Sequence, residues 1–281
     1  MAEITVVSTR AELRDILGGW RRAGDTIGMV PTMGYLHEGH LSLVDIAKAN
    51  ASRVIASLFV NPTQFSPTED LATYPRDREG DLAKFASRGV ELVWAPTVEE
   101  MYPAGFATSV SVAGLGQGLC AETRPVFFQG VATVVSKLLI QAWPDVAVFG
   151  EKDYQQLCVI RRMALDLDIP TRILSGATVR EPDGLAMSSR NAYLTPAERQ
   201  VAPELHKQLT IAAKNPTRQA LVAAGDRLLD AGFQKIDYIE LRDAASLQPV
   251  LTPLDRPARL LAAAWLGKAR LIDNVPVDAP S

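Results

Sequence analysis

Short apolar runs alternate with amphipathic stretches over the first 178 residues, and this alternation constrains the fold more than any other feature. Ile4–Val7, Thr26–Val30, Arg53–Val60, Val90–Trp94 and Val146–Phe149 read as strands. Between them, helices are expected from Arg10 to Ala23 (capped by Thr9), from Leu41 onward, from Asp77 to Arg88, from Val131 to Ala142 and from Tyr154 to Asp166. Strands that alternate with helices predict an α/β fold, a parallel sheet with helices on both faces. Such a sheet binds ligands beyond the carboxyl ends of its strands. The polar, Gly- and Pro-punctuated segments fall there: Pro31-Thr32-Met33-Gly34, Asn61-Pro62-Thr63-Gln64-Phe65 and Gly150-Glu151-Lys152-Asp153. The pattern changes beyond residue 178. Thr195-Pro196-Ala197-Glu198 has the spacing of a capping box. Two helices ending near Ala213 and Ala231 and three strands (Ile236–Leu241, Arg259–Leu266, Ala269–Ile272) then predict a smaller α+β unit, with a loose end after Val275. The division expected is 1–178 and 179–281.

His37-Glu38-Gly39-His40 holds two of only three histidines in 281 residues. It lies between the strand ending at Val30 and a helix, where amide groups point outward and favour phosphate. An imidazole there, neutral or protonated, donates a hydrogen bond to a phosphate oxygen. Two incidental histidines on a solvated helix start are the plainer alternative. Gly150-Glu151-Lys152-Asp153 opens a helix in the same way, with Lys152 placed to reach phosphate and Gln156 on the same face. Ala186-Met187-Ser188-Ser189-Arg190-Asn191 joins hydroxyls to a cation, a set that clamps polyphosphate or forms an ordinary surface loop. Asn61 and Gln64 offer neutral amides that read a hydroxyl or carboxylate, or simply a turn at Asn-Pro. Asp77 and Asp81 share a helical face, which suits either a contact to Mg²⁺ or plain solvation.

Composition removes several classes. A net charge of -3 argues against a nucleic-acid footprint. No apolar run reaches the length of a membrane span, and the N-terminus does not read as a signal peptide. Cys120 and Cys158 lack metal or redox spacing, which points to a reducing compartment, the cytoplasm.

The two signatures, H-x-G-H and the Ser-Ser-Arg-Asn loop, resemble those of the nucleotidyltransferase superfamily, which activates carboxylates or phosphates on the α-phosphate of a nucleotide. The resemblance sharpens with six ordered motifs: PTMGYLHEGHLSLV, SLFVNPTQF, EDLATYPRD, FGEKDYQQL, VIRRM and TVREPDGLAMSSRNAYL. Together they resemble the pantothenate synthetase (pantoate–β-alanine ligase) family over most of residues 1–200. The resemblance implies a Rossmann-like first domain, a smaller C-terminal lid domain and a homodimer. It implies an ATP site formed by Met33, Gly34, Tyr35, Leu36, His37, Glu38, Gly39 and His40, with His37 as proton donor. Gly150, Glu151, Lys152, Asp153, Val179, Met187, Ser188, Ser189 and Arg190 would complete that site. Gln64 would contact pantoate and β-alanine, Gln156 pantoate, and Asn61 would be their neighbour.

The activity implied is ATP-dependent condensation of pantoate with β-alanine through pantoyl adenylate, releasing pyrophosphate and then AMP. The attacking carboxylate is already ionised. The catalytic groups expected are therefore those that bind and stabilise charge (His37, His40, Lys152, Arg190, with Mg²⁺ on the triphosphate) and a loop at Ser188 and Ser189 that shields the adenylate. A nucleotidyltransferase acting on another small acid or on a phosphate is the alternative. One departure stands out. The family usually has Arg-Pro-Gly-His-Phe where this chain has Arg124-Pro125-Val126-Phe127-Phe128, so a polar donor gives way to an apolar wall.

Overall fold

The computed structural model describes residues 4–65, 71–250 and 255–278. Among them, the strands are β1 (Thr5–Val7), β2 (Ile27–Thr32), β3 (Arg53–Leu58), β4 (Leu92–Trp94), β5 (Val146–Gly150), β6 (Arg172–Gly176), β7 (Lys235–Asp243), β8 (Ala258–Leu266) and β9 (Ala269–Val277). The helices are α1 (Arg10–Arg22), α2 (Glu38–Asn50), α3 (Arg78–Ser87), α4 (Val98–Met101), α5 (Cys120–Thr123), α6 (Phe127–Ala142), α7 (Tyr154–Asp166), α8 (Pro196–Val201), α9 (Glu204–Ala213) and α10 (Arg218–Ala231).

The first six strands form one parallel sheet in the order β1-β4-β3-β2-β5-β6. Strand neighbours point to opposite faces, and both faces are buried. Met29, Ile55, Trp94 and Phe149 pack with Leu17 of α1, Leu139 of α6 and Leu157 of α7. Val30, Ala56, Val93 and Val148 pack with Val44 of α2 and Phe85 of α3. This two-sided burial explains why the runs are continuously apolar rather than alternating. The chain winds one way from β2 to β3 and places β5 on the other side, so the crevice between β2 and β5 is the switch point where such sheets hold ligands.

Strands β7, β8 and β9 form an antiparallel sheet. Its inner face sends Tyr238, Leu261 and Ala263 into the core of the first sheet, and its outer face packs Leu260, Ala262 and Ala264 against α9 and α10. The expected capping box at Thr195–Glu198 is present, and the expected cap at Thr9 forms a capping box of its own with Glu12.

Three expectations shift. Helix α2 starts at Glu38 rather than Leu41, because His37 supplies the cap that Leu41 cannot. Strand β6, which the sequence reading did not anticipate, is an edge strand with one apolar pair, Ile173-Leu174. The expected loose end does not begin at Val275, since β9 runs to Val277 in register with β8; the last three residues lie outside those described. Glu69 and Asp70, which open the motif ending in Tyr74-Pro75-Arg76-Asp77, lie outside the described residues. No helix among the described residues is long and apolar enough to cross a membrane.

Candidate active site

The turn after β2 is shaped by backbone constraints before any ligand is considered. Gly34 has φ +90°, and a Cβ there would lie 2.9 Å from an oxygen of Asp81. Tyr35 also takes positive φ (54°). Asp81, buried on α3, stabilises this conformation by accepting from Tyr35 N (2.8 Å) and Leu36 N (2.7 Å). Lys84, one turn on, donates to Leu36 O (2.8 Å). Helix α3 thus clamps the turn that presents the histidines. Neither alternative offered for the aspartates describes Asp81, which is enclosed and occupied, whereas Asp77 is exposed, as the solvated reading has it, and caps α3 by accepting from Gly80 N (3.0 Å).

The two histidines form a reciprocal cap. His37 Nδ1 accepts from Gly39 N (3.1 Å), and His40 Nδ1 accepts from His37 N (3.3 Å). The rings lie 4.1 Å apart. A Cβ at Gly39 would sit 2.8 Å from the His37 ring, which is why a glycine separates them. A backbone N–H only donates, so both Nδ1 atoms are bare and both neutral rings carry their proton on Nε2. Burial, followed by the neighbouring His40 and Lys152 charges, pushes His37 down to about 3. Burial, followed by Lys152 and Lys84, pushes His40 down to about 4. At neutral pH the pair therefore consists of two uncharged Nε2–H donors.

These donors line a cavity of about 730 Å³ between the two sheets. Met33, Gly39, Gly150, Lys152, Asp153 and Val179 line the same cavity, as do Met187, Ser188, Ser189 and Arg190 from the second signature. The two signatures meet closely: a Cβ on Gly39 would lie 3.9 Å from Met187 Cβ. Ser188 caps the short helix Ser189–Tyr193 by accepting from Arg190 N (3.2 Å). The guanidinium of Arg190 lies 5.9 Å from the Tyr74 ring centre. Gly34, Tyr35, Leu36, Glu38 and Glu151 lie outside the cavity lining. Glu38 pairs with Arg88 at 2.5 Å. Glu151 accepts from Ser175 Oγ (3.0 Å) and pairs with Arg259 of β8 (2.7 Å).

Gln64, Gln156, Arg124 and Phe127 line the same cavity. Asn61 is buried, and its polar atoms are all engaged within the protein. Arg124 Nη2 donates to Gln64 O (3.0 Å), and its guanidinium lies 3.7 Å from the centre of the Phe127 ring.

Sequence reading missed the groups that hold the site from the small sheet. Asn274 of β9 donates to both Glu151 O (2.9 Å) and Lys152 O (3.0 Å). Asp273 beside it takes Arg180 bidentately (2.6 and 2.9 Å), fixing the segment that leads into Met187. The Asp273-Asn274 pair interrupts the apolar residues of β9 between Ile272 and Val275, and that interruption is the signal a reader could have used.

A parallel α/β sheet with paired signatures across its switch point, capped by a small α+β unit, defines a nucleotide-handling protein of the nucleotidyltransferase kind. The comparisons narrow the class. The family described as Pantoate-beta-alanine ligase matches residues 5–276, and the chain belongs to that family. It is 58% identical over 280 residues to the pantothenate synthetase of Paramagnetospirillum magneticum, with 98% of each chain covered. Its structure superposes on that of pantothenate synthetase from Thermus thermophilus with a TM-score of 0.91 at 47% identity, covering 99% of this chain and 100% of the other. It also superposes on pantoate-beta-alanine ligase from Francisella tularensis, complexed with beta-gamma ATP and beta-alanine, with a TM-score of 0.83 at 33% identity and 97% coverage of both.

Proposed function

We propose that this chain condenses pantoate with β-alanine at the expense of ATP. The observation that carries the reading is the pair of neutral Nε2–H donors at His37 and His40, facing Lys152 and the Met187–Arg190 loop across one cavity. The pantoate carboxylate attacks the α-phosphorus of ATP; the bond to the β-phosphate oxygen breaks and pyrophosphate leaves with the electron pair. The β-alanine amine then attacks the acyl carbon of pantoyl adenylate, AMP departs, and the amine loses a proton. No protein nucleophile takes part. His37, His40, Lys152 and Arg190 stabilise negative charge as it moves onto the leaving phosphates. A pKa of about 3 makes His37 a hydrogen-bond donor in this scheme rather than a proton carrier.

Magnesium enters as part of the nucleotide substrate. Among the described residues, no group of three His, Cys, Asp or Glu side chains is arranged to hold a metal. Of the two aspartates lining the cavity, Asp273 is engaged by Arg180, which leaves Asp153 beside Lys152 as the carboxylate available to water on the ion. The division near residue 178 belongs to this proposal too: β6 ends at Gly176, and the second signature follows on the lid side. By family resemblance the working unit is a cytoplasmic homodimer, for which sedimentation gives twice the chain mass of 30.4 kDa.

The test is pyrophosphate release with ATP and Mg²⁺. Pantoate alone supports ATP–pyrophosphate exchange, and adding β-alanine yields pantothenate and AMP. Exchange supported by another acid and not by pantoate overturns the reading.

A further inference from the structure

The buried amides beside the cavity form a chain whose polarity is fixed. Asn61 Oδ1 accepts from the backbone N–H of Thr63 (3.3 Å), and Asn61 Nδ2 donates to the backbone carbonyl of Gly130 (3.2 Å). A backbone N–H cannot accept and a carbonyl cannot donate, so only one of the two orientations of the Asn61 amide is allowed. The phenol of Tyr102 donates to the same Oδ1 (2.8 Å), and Thr63 Oγ1 adds a further hydrogen bond (3.0 Å). The remaining hydrogen of Asn61 Nδ2 then points at Gln64 (3.0 Å), where it requires an acceptor, Oε1. Helix α6 comes close enough to take part because residue 130 is glycine: a Cβ there would lie 2.3 Å from Thr63 O.

We infer that Tyr102 and Asn61 are positioning residues that lock the Gln64 carboxamide with Nε2 toward the cavity, making Gln64 a pure donor to the acid substrate. Gln64 lines the cavity, and among the described residues its Nε2 has no partner within the protein. An unconstrained glutamine presents donor or acceptor alike; this one presents only N–H. It therefore selects a group that is all acceptor, a carboxylate or a hydroxyl oxygen, and disfavours a competing ammonium or amide N–H at that point. Asn61 has both hydrogens engaged and acts through Gln64 rather than on the substrate. The relay rests on the proposed function for the acid it serves.

The test is pantoate affinity by titration calorimetry, with pantoate and ATP KM from pyrophosphate exchange. Asn61→Asp preserves shape but removes both donors. Gln64 then turns its Nε2 to the new carboxylate and its Oε1 to the cavity. The expected result is a pantoate Kd and KM raised about 10- to 100-fold, with ATP KM within about twofold, the scatter expected for an independent site. Tyr102→Phe removes one anchor and leaves the fold, so a rise of about 3- to 10-fold in the same two quantities is expected even if Asn61→Asp fails to fold. Unchanged pantoate affinity in both variants overturns the relay. An equal loss for ATP and pantoate also overturns it, because general loosening explains that pattern. If wild type binds pantoate without exchange, the catalytic reading falls and the relay stands. If wild type does not bind pantoate, both fall.

Discussion

At the proposed nucleotide end of the cavity, two ionisable rings are oriented by neighbours two and three residues away: Gly39 N on His37 and His37 N on His40. At the proposed acid end, an uncharged amide is oriented by its neighbour Thr63 together with partners far along the chain, Gly130 and Tyr102, all acting on Asn61. Both ends use groups of fixed polarity to settle an ambivalent side chain, a tautomer in one case and an amide flip in the other. The difference lies in what can undo the arrangement. The nucleotide end is local in sequence and sensitive to protons. The acid end is assembled by the fold and has no titratable group in the Asn61–Gln64 pair.

The comparison breaks most visibly at His37. Its replacement by Ala removes a donor to the leaving phosphate and is expected to lower pantoate-dependent exchange by about 10²–10³, with pantoate Kd unchanged by calorimetry. Exchange at the wild-type rate would refute the donor role. Next in size is Asp81→Asn. One of the two amides at Tyr35 and Leu36 then faces an NH₂ group instead of a carboxylate oxygen, inside the protein. Loss of a buried hydrogen bond to a charged group costs about 1.5–3 kcal/mol. Urea unfolding should show that loss, with exchange down about tenfold as the histidine turn loosens. A drop in stability without a drop in exchange would mean the clamp supports the fold and not the site.

Proton sensitivity sharpens the contrast further. His37 and His40 are pushed down to about 3 and about 4 on folding, against about 6.5 in the unfolded chain. The unfolded state then binds protons more readily, so stability present above about pH 6.5 is lost as pH falls toward the folded values. Each histidine accounts for about 2 kcal/mol between pH 7 and pH 5. His37→Asn keeps a good helix cap and removes one titration. It should cut the pH dependence of the unfolding free energy by that amount, whereas Asn61→Asp should not reduce it. Equal slopes for His37→Asn and wild type would show that the rings are not held neutral by the fold.

The same contrast explains what could be read in advance. The HEGH turn and the Gly150–Asp153 turn, each at the carboxyl end of a strand, were legible because each is a local pattern: an apolar run, a glycine, then polar residues at a helix start. The Thr9 cap and the Thr195 capping box were legible for the same reason. Asp81 was not, because its partners Tyr35 and Leu36 lie on a different element and a carboxylate at helical spacing looks the same whether solvated or enclosed. Asn274 and Arg259 were not, since their grip on the Glu151-Lys152 turn depends on how the second sheet docks on the first. Asn61 was legible as a polar group at a strand end, but its role depends on Gly130 and Tyr102, which only the packing of α6 and the segment after α4 brings close. Strand β6 lacks the apolar excess of the inner strands because it is an edge.

The smallest effect expected tests the departure at the acid end. Phe127 stands where the family usually has histidine, and its ring lies 3.7 Å from the Arg124 guanidinium. The same Arg124 donates to Gln64 O, so the stacked pair bears on the backbone of the residue proposed to meet the acid. A cation–π contact at a partly exposed site is worth about 0.5–1 kcal/mol. Phe127→His weakens that contact and returns a donor to the wall. The expected outcome is a change of about twofold to fivefold in KM for β-alanine, because Phe127 stacks on the arginine that holds the backbone of Gln64, the proposed acid contact. ATP–pyrophosphate exchange with pantoate should stay within about twofold, the scatter for an independent site. Steady-state rates against β-alanine at saturating ATP and pantoate measure it. A matching change in exchange would place Phe127 in the first half-reaction and erase the distinction between the two ends of the cavity at this residue.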